Sequence, residues 1–210
     1  HVSTAYVAGR CDGLVTEDEL TDRHGFSSPY ERSKYEAELL VRQAGDELPV
    51  SVFRPSMIVG DSRTGAIRTF NTIYYPLRLY LTGRMSVVSA KRSLRVNLVP
   101  VDYVADAIAR LTFDPAASGL TFCLTPPPED TPTLGEVADF TRRWAAESMH
   151  LKLPRARYVP GTTLAAKALK LLRDPELATV SRLLPYFERQ PRFARTNTDK
   201  LLGPYPHRWE

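Results

Sequence analysis

A chain of 210 residues, 43% of them hydrophobic, is long enough for one substantial core with a lobe attached, and its composition gives no sign of general disorder. The net charge of +4 comes from arginines scattered over many segments, which argues against a nucleic-acid partner and suits an acidic small ligand such as a nucleotide or a phosphopantetheine thioester. The apolar stretch at 70–81 is broken by Pro76 and Arg78 and falls short of the ~20 residues that span a bilayer; with no secretory signal, no C-x-x-C and no metal-ligand spacing among two cysteines and four histidines, a soluble, cytoplasmic, metal-free protein is expected.

In chain order, "HVSTAYVAG" (1–9) reads as the end of a strand, with the hydroxyls Ser3 and Thr4 at its tip and Gly9 as the stop. A helix follows from about Pro29 to Ala44, with Ser28 as N-cap, Pro29 in the first turn and Gly45 beyond the end. The β-branched run "LPVSVFRPSMIVG" (48–60) predicts a strand buried on both faces of a parallel sheet, and strand, helix, strand in this order makes a βαβ unit. "LRVNLVPVDYVADAIARLTFD" (94–114) adds a short strand and a helix for which Asp102 is the expected cap, and "GLTFCLT" (119–125) adds a further strand. After "PPPED" the pattern turns to proline-separated helical pieces at 133–147, 162–174 and 175–188. Residues 1–62 and 92–128 are therefore expected to form the sheet domain, with 63–91 and 129–210 as a smaller, mostly helical substrate lobe. The stretch Phe70, Tyr74, Leu77 and Leu81 recurs near helical spacing and reads first as a core stripe, second as the lining of an acyl channel.

The chemistry is concentrated in "YERSK". Tyr30 and Lys34 are four residues apart and so neighbours on one helix face. A free tyrosine titrates near pH 10; making it a competent proton donor or acceptor near neutrality means favouring its anion by ~4 kcal/mol, which an adjacent cation in a partly dry site largely supplies. The hydroxyls of Ser3 and Thr4 end a strand, and a sheet built of βαβ units presents its ligands at the carboxyl ends of its strands. A hydroxyl there can hold a carbonyl oxygen while Tyr30 protonates it.

The strings "HVSTAYVAG", "YERSKYEAE", "VFRPSMIVGDSRTG" and "VNLVPVDYVADAI", in this order over residues 1 to about 125, resemble the extended short-chain dehydrogenase/reductases. Within them the likeness is to the male-sterility-type branch of fatty acyl-CoA reductases and thioester reductase domains. The resemblance implies the C-terminal part of a doubly wound, Rossmann-like α/β fold. It implies that Thr4 orients the substrate carbonyl with Ser3 as backup hydroxyl and cofactor contact, that Tyr30 is the general acid, and that Lys34 lowers its pKa and binds the nicotinamide ribose. Pro55, Ser56 and Met57 would approach the nicotinamide in a loop closed by Gly60. The implied reaction is NAD(P)H-dependent reduction of an acyl thioester, on coenzyme A or an acyl carrier protein, to aldehyde or alcohol; NADPH is favoured over NADH by the resemblance alone. None of the eleven glycines forms the glycine-rich dinucleotide turn, so the chain is expected to be a C-terminal portion that is inactive and poorly soluble by itself.

Two rival functions share these residues. Sugar-nucleotide epimerases and dehydratases carry the same hydroxyl, tyrosine and lysine, but many have asparagine three before the loop glycine, where this chain has Met57, a thioether suited to an apolar acyl group. A non-catalytic dinucleotide-sensing protein of the same fold would be marked by loss of Tyr30 or Lys34, and both are present.

Overall fold

The computed structural model describes residues 1–70, 72–159, 180 and 189–209. In chain order the elements are β1 (Gly13–Val15), α1 (Pro29–Gln43), β2 (Val52–Pro55), β3 (Met57–Val59), α2 (Tyr74–Leu81), β4 (Val87–Val88), β5 (Leu98–Pro100), α3 (Val101–Thr112), β6 (Thr121–Leu124), α4 (Leu134–Ser148), β7 (Arg157–Tyr158), β8 (Pro191–Phe193) and α5 (Thr196–Leu202). They fall into two compact units, one of His1–Ile67, Asn97–Thr131 and Gln190–Glu210, the other of Arg68–Val96 and Pro132–Arg189. The helical pieces expected over 162–174 and 175–188 lie outside the described residues apart from Val180.

Every paired strand in the first unit runs parallel: β2 with β6, β3 with β5, β1 with β8, and Val2 beside Phe53 as a single bridge. This is the α/β arrangement that βαβ connections produce. Local signals account for α1. The Ser28 hydroxyl accepts from the Glu31 amide at 3.3 Å, the Glu31 carboxylate accepts from the Ser27 amide at 2.6 Å, and Pro29 sits in the first turn where its missing N–H costs nothing. In α3, Tyr103, Val104, Ala107 and Leu111 make one buried stripe against Phe53, Val99, Phe122 and Leu124 of the strands. Phe53 and Phe122 stack with centroids 5.8 Å apart, and each buried ring adds about 1.5–3 kcal/mol of apolar burial.

Four elements depart from the sequence pattern. The single strand expected over 48–60 changes partner at Ser56: β2 pairs with β6 up to Pro55, then the Met57 amide donates to Asn97 O at 3.1 Å and β3 continues alongside β5. A continuous apolar run looks the same whether it has one neighbour or two in succession. Asp102 is not the cap of α3. Pro100 holds the cap position, where its side chain has no acceptor to offer, and Asp102 lies in the first turn with its carboxylate taken up by Ser62, whose amide donates to it at 2.9 Å and hydroxyl at 2.7 Å. In α2 the buried side chains are Leu79 and Tyr80, with Ile73 buried just before it, whereas Phe70 of the expected stripe is 63% exposed. Finally, Pro191–Phe193, in a stretch that the sequence groups with the helical lobe, pairs with β1, and Phe193 enters a core with Ala5, Val15 and Cys123.

The second unit carries α2, the parallel pair β4 and β7, and α4, whose start is fixed by a capping box between Thr133 and Glu136. No helix among the described residues is long and apolar enough to cross a membrane.

Candidate active site

The site lies at the carboxyl ends of the first unit's strands. After the bridge at Val2 the chain turns into a short 3-10 helix, Ala5–Ala8, and Thr4 is its N-cap: the hydroxyl accepts from the Tyr6 amide at 3.3 Å and donates to Pro55 O at 3.4 Å. Gly9 ends this turn at φ +60, and a Cβ there would run into the Gly25 carbonyl oxygen, so only glycine fits. Thr4 is thereby held, 4% exposed, at the end of its strand beside the end of β2.

Helix α1 crosses this point with Tyr30, Lys34 and Glu38 on one face, four residues apart in turn. The Lys34 ammonium donates to Val2 O at 3.2 Å, and Glu38 accepts from the Ser3 hydroxyl at 2.6 Å. Tyr30, one turn before Lys34, is 51% exposed, and its phenol has no hydrogen-bond partner among the described residues. The structure thus brings Thr4 against Pro55 and pins α1 to the Val2–Ser3 backbone through Lys34 and Glu38. It does not leave Ser3 available as a second hydroxyl: that group is 3% exposed and committed to Glu38.

Ser56 stands where β2 gives way to β3, its amide donating to Leu124 O at 3.2 Å. Its hydroxyl is buried with no hydrogen-bond partner, as is that of Thr125, the next residue after Leu124 on the neighbouring strand. An unpaired hydroxyl costs about 1–3 kcal/mol in a closed core. Met57 is half-buried just beyond. The loop after β3 is drawn tight by Asp61, whose carboxylate accepts from the amides of Arg63 and Thr64 and from the Thr64 hydroxyl. Desolvation raises the Asp61 pKa, but these bonds and one from the Arg63 side chain together outweigh it and hold the pKa down at about 2. A Cβ on Gly60 would stand 2.6 Å from Gly65 O, so glycine is required for the closure.

Beneath these residues is a buried charged network that the sequence motifs do not announce. Arg54, 1% exposed in β2, pairs with Glu38, 0% exposed, at 2.6 Å and also donates to Glu17 O and Glu19 O. Glu17 accepts from the Cys123 amide and from the amide and hydroxyl of Thr198, tying α5 to β6. The one local signal is Arg54 itself, a charge inside an apolar strand that must find a counter-charge.

The comparisons with known proteins agree with this geometry. The profile of the male sterility protein family matches residues 1–108. The L-2-aminoadipate reductase large subunit of Penicillium chrysogenum is 32% identical over 121 residues, 56% of this chain and 8% of that protein, and the aldehyde reductase lnbA of Aspergillus flavus is 28% identical over 121 residues, 55% of this chain and 12% of that protein. Among solved structures, the terminal R domain of the myxalamid PKS-NRPS pathway superposes with a TM-score of 0.76 at 29% identity, over 96% of this chain and 51% of that one. An NAD complex of UDP-glucuronic acid 4-epimerase from Bacillus cereus, at 13% identity, covers 99% of this chain and 55% of that one with a TM-score of 0.67 and shares the fold alone. The chain thus spans about half of the solved proteins it matches and a small part of the curated relatives. Its parallel α/β fold is Rossmann-like. With that fold, and with the family profile covering the strand end, α1 and both strands around Ser56, the chain belongs to the male sterility protein family.

Proposed function

We propose that the chain is part of a reductase that uses a reduced nicotinamide dinucleotide to convert acyl thioesters, on coenzyme A or an acyl carrier protein, to aldehyde or alcohol. The observation that carries this is the conjunction, in a member of the male sterility family, of Thr4 at a strand's carboxyl end with Tyr30 and Lys34 on the helix that Lys34 pins to that strand. The names of the relatives, an aminoadipate reductase, an aldehyde reductase and a biosynthetic R domain, support the same chemistry.

The residues fit the nicotinamide end of such a cofactor. The buried hydroxyls of Ser56 and Thr125 have no hydrogen-bond partner among the described residues, Pro55 and Met57 adjoin Ser56 along the chain, and Lys34 has N–H groups beyond the one given to Val2. The cofactor, when bound, supplies hydride to the substrate carbonyl carbon. Tyr30 donates a proton to the carbonyl oxygen as the carbon is reduced, giving a hemithioacetal whose C–S bond then breaks: the hydroxyl proton leaves, the aldehyde carbonyl forms and the carrier departs as its thiol. The half-exposed Tyr30 phenol has no hydrogen-bond partner among the described residues and is free to act. Lys34 favours the resulting phenolate from one turn away. The Thr4 hydroxyl adds a hydrogen bond to the same oxygen; its present bond to Pro55 O, at 3.4 Å, is long and weak, so turning it toward substrate costs little. NADPH is the form we favour, on family resemblance.

The test is Tyr30→Phe in the intact protein, assayed for thioester-dependent oxidation of NADPH. Turnover falls roughly 100-fold or more with cofactor affinity retained, the order expected for a positioned general acid. Near-normal turnover at saturating cofactor would overturn the mechanism. Isomerised UDP-sugar with no response to acyl-CoA would transfer the site to sugar-nucleotide chemistry.

A further inference from the structure

The second unit carries two adjoining cavities of opposite character. One, of about 80 Å³, is walled by apolar side chains including Ile73, Leu77, Met85 and Val137; the other, of about 210 Å³, is walled by Arg92, Asp139, Arg142 and Arg155. They share Ala156 and Tyr158 as a common wall. A single water centre needs only ~10–15 Å³, so the larger one has room for a polyatomic group.

Among the described residues three guanidiniums face one carboxylate there. Arg92 is paired with Asp139 at 2.5 Å, and its stem lies across Gly135, where a Cβ would come within 2.6 Å of it, so close packing seats this side chain on the start of α4. Arg142, a turn after Asp139 on α4, has a buried Nε with no hydrogen-bond partner, and Arg155 has no ion pair among the described residues. An unpaired guanidinium N–H in a cavity wall is costly unless an acceptor reaches it. The tyrosines do not serve: the Tyr80 hydroxyl is given to Pro154 O at 2.6 Å and that of Tyr158 to Leu134 O at 3.1 Å. Planar guanidiniums suit a phosphate or carboxylate, which they can bind with two parallel hydrogen bonds.

We propose that Arg142 and Arg155, with Arg92, form a binding site for an oxyanion group carried on an uncharged or apolar chain, whose adjoining part occupies the cavity lined by Leu77 and Val137. This rests on the thioester function proposed above, which provides two sources of such a group: the phosphate of a phosphopantetheine arm, or a carboxylate at the far end of the acyl group.

The experiment is calorimetric binding of three non-turnover probes to the intact protein without cofactor: S-hexanoyl-4'-phosphopantetheine, S-hexanoyl-pantetheine and S-adipoyl-pantetheine. At least one anionic probe binds about tenfold or more tighter than the neutral one, the order expected for a charge-assisted hydrogen bond. Arg142→Gln and, separately, the exposed Arg155→Ala remove that advantage, and added salt weakens it. Preference for the phosphate-bearing probe assigns the group to the carrier arm, and preference for the adipoyl probe assigns it to the acyl end. Equal binding of all three, or an advantage that survives in both variants, overturns the proposal. Because binding is read without turnover, thioester reduction with no anion preference would sink this site alone, whereas anion-selective binding without any reduction would sink the reductase function and leave the oxyanion site standing.

Discussion

Replacing Glu38 with alanine removes the carboxylate on which a buried cation depends. Arg54 donates from Nε to both Glu38 oxygens at 3.1 Å and from a terminal nitrogen to Oε1 at 2.6 Å, with neither residue more than 1% exposed. After the substitution Arg54 keeps two carbonyl acceptors, Glu17 O at 3.3 Å and Glu19 O at 2.9 Å, and the Ser3 hydroxyl loses its acceptor. Arg42, with a side chain 28% exposed, still holds Asp18 O and Thr121 and reaches water. Breaking a buried pair from one side costs about 3–5 kcal/mol. The surviving carbonyls place Glu38→Ala at the lower end, about 3 kcal/mol, which for a chain of this size is a fall in Tm of roughly 6–12 °C.

The assay is urea unfolding at pH 7 followed by far-UV circular dichroism, with Glu38→Ala, Arg54→Met and the double variant Glu38→Leu/Arg54→Met side by side. An apolar pair of similar volume is often as stable as the ion pair it replaces, so the double variant should lose about half as much as Glu38→Ala or less. A Glu38→Ala protein within about 0.5 kcal/mol of the parent, or a double variant that loses the sum of the two single losses, would refute the idea that these charges depend on each other.

Burial pushes the Cys123 thiol up to about 12, so iodoacetamide at pH 8 should leave it unmodified in the folded chain and label it once urea unfolds the first unit; rapid labelling without denaturant would contradict its placement in the core. Hydrogen bonds from Thr133 hold the Glu136 carboxyl below its ordinary value, so folding gains stability above the usual glutamate range near 4.3 and loses it as pH falls toward the depressed value. Glu136→Gln should remove that pH dependence, whereas Thr133→Ala, which keeps the amide donor to Glu136, should only reduce it and cost about 1 kcal/mol, read by thermal melts from pH 3 to 6; an unchanged pH profile in Glu136→Gln would count against the capping box. At Asp102, slight burial is outweighed by the two hydrogen bonds from Ser62, which keep the carboxyl ionised below its ordinary range. Asp102→Ala should therefore speed hydrogen exchange at the Ser62 amide while costing about 1 kcal/mol overall at this half-buried position, and unchanged exchange would argue against the clamp.

What the sequence displays and what it hides divide by the range of the interaction. The start of helix α1 is legible because it is set within a few residues, by Ser28 and Pro29, and the spacing of Tyr30 and Lys34 on it follows from helical geometry; Gly45 is not its stop, since the helix ends at Gln43 and runs on into a 3-10 turn, Ala44–Asp46, that contains Gly45. The split of 48–60 into β2 and β3 is not legible, because Ser56 is made a branch point by β5 and β6, more than forty residues away, and no residue near it signals a change of neighbour. The same holds for Ser3 and Thr4. Both are small hydroxyls at one strand end, equivalent in the sequence, and only the arrival of Glu38 on one side and Pro55 on the other separates a structural hydroxyl from one free to turn. The commitment of Ser3 also bears on function. With Lys34 holding Val2 O and Glu38 holding the Ser3 hydroxyl, α1 is fixed to the strand end at two successive turns, so the placing of Tyr30 relative to Thr4 is set by the Lys34 and Glu38 side chains rather than by those of Tyr30 and Thr4 themselves. Arg54 shows how far a local pattern reaches: its charge inside "VSVFRP" states that a partner must exist. That the partner is Glu38, and that it also anchors the strand end bearing Thr4, is decided by the fold.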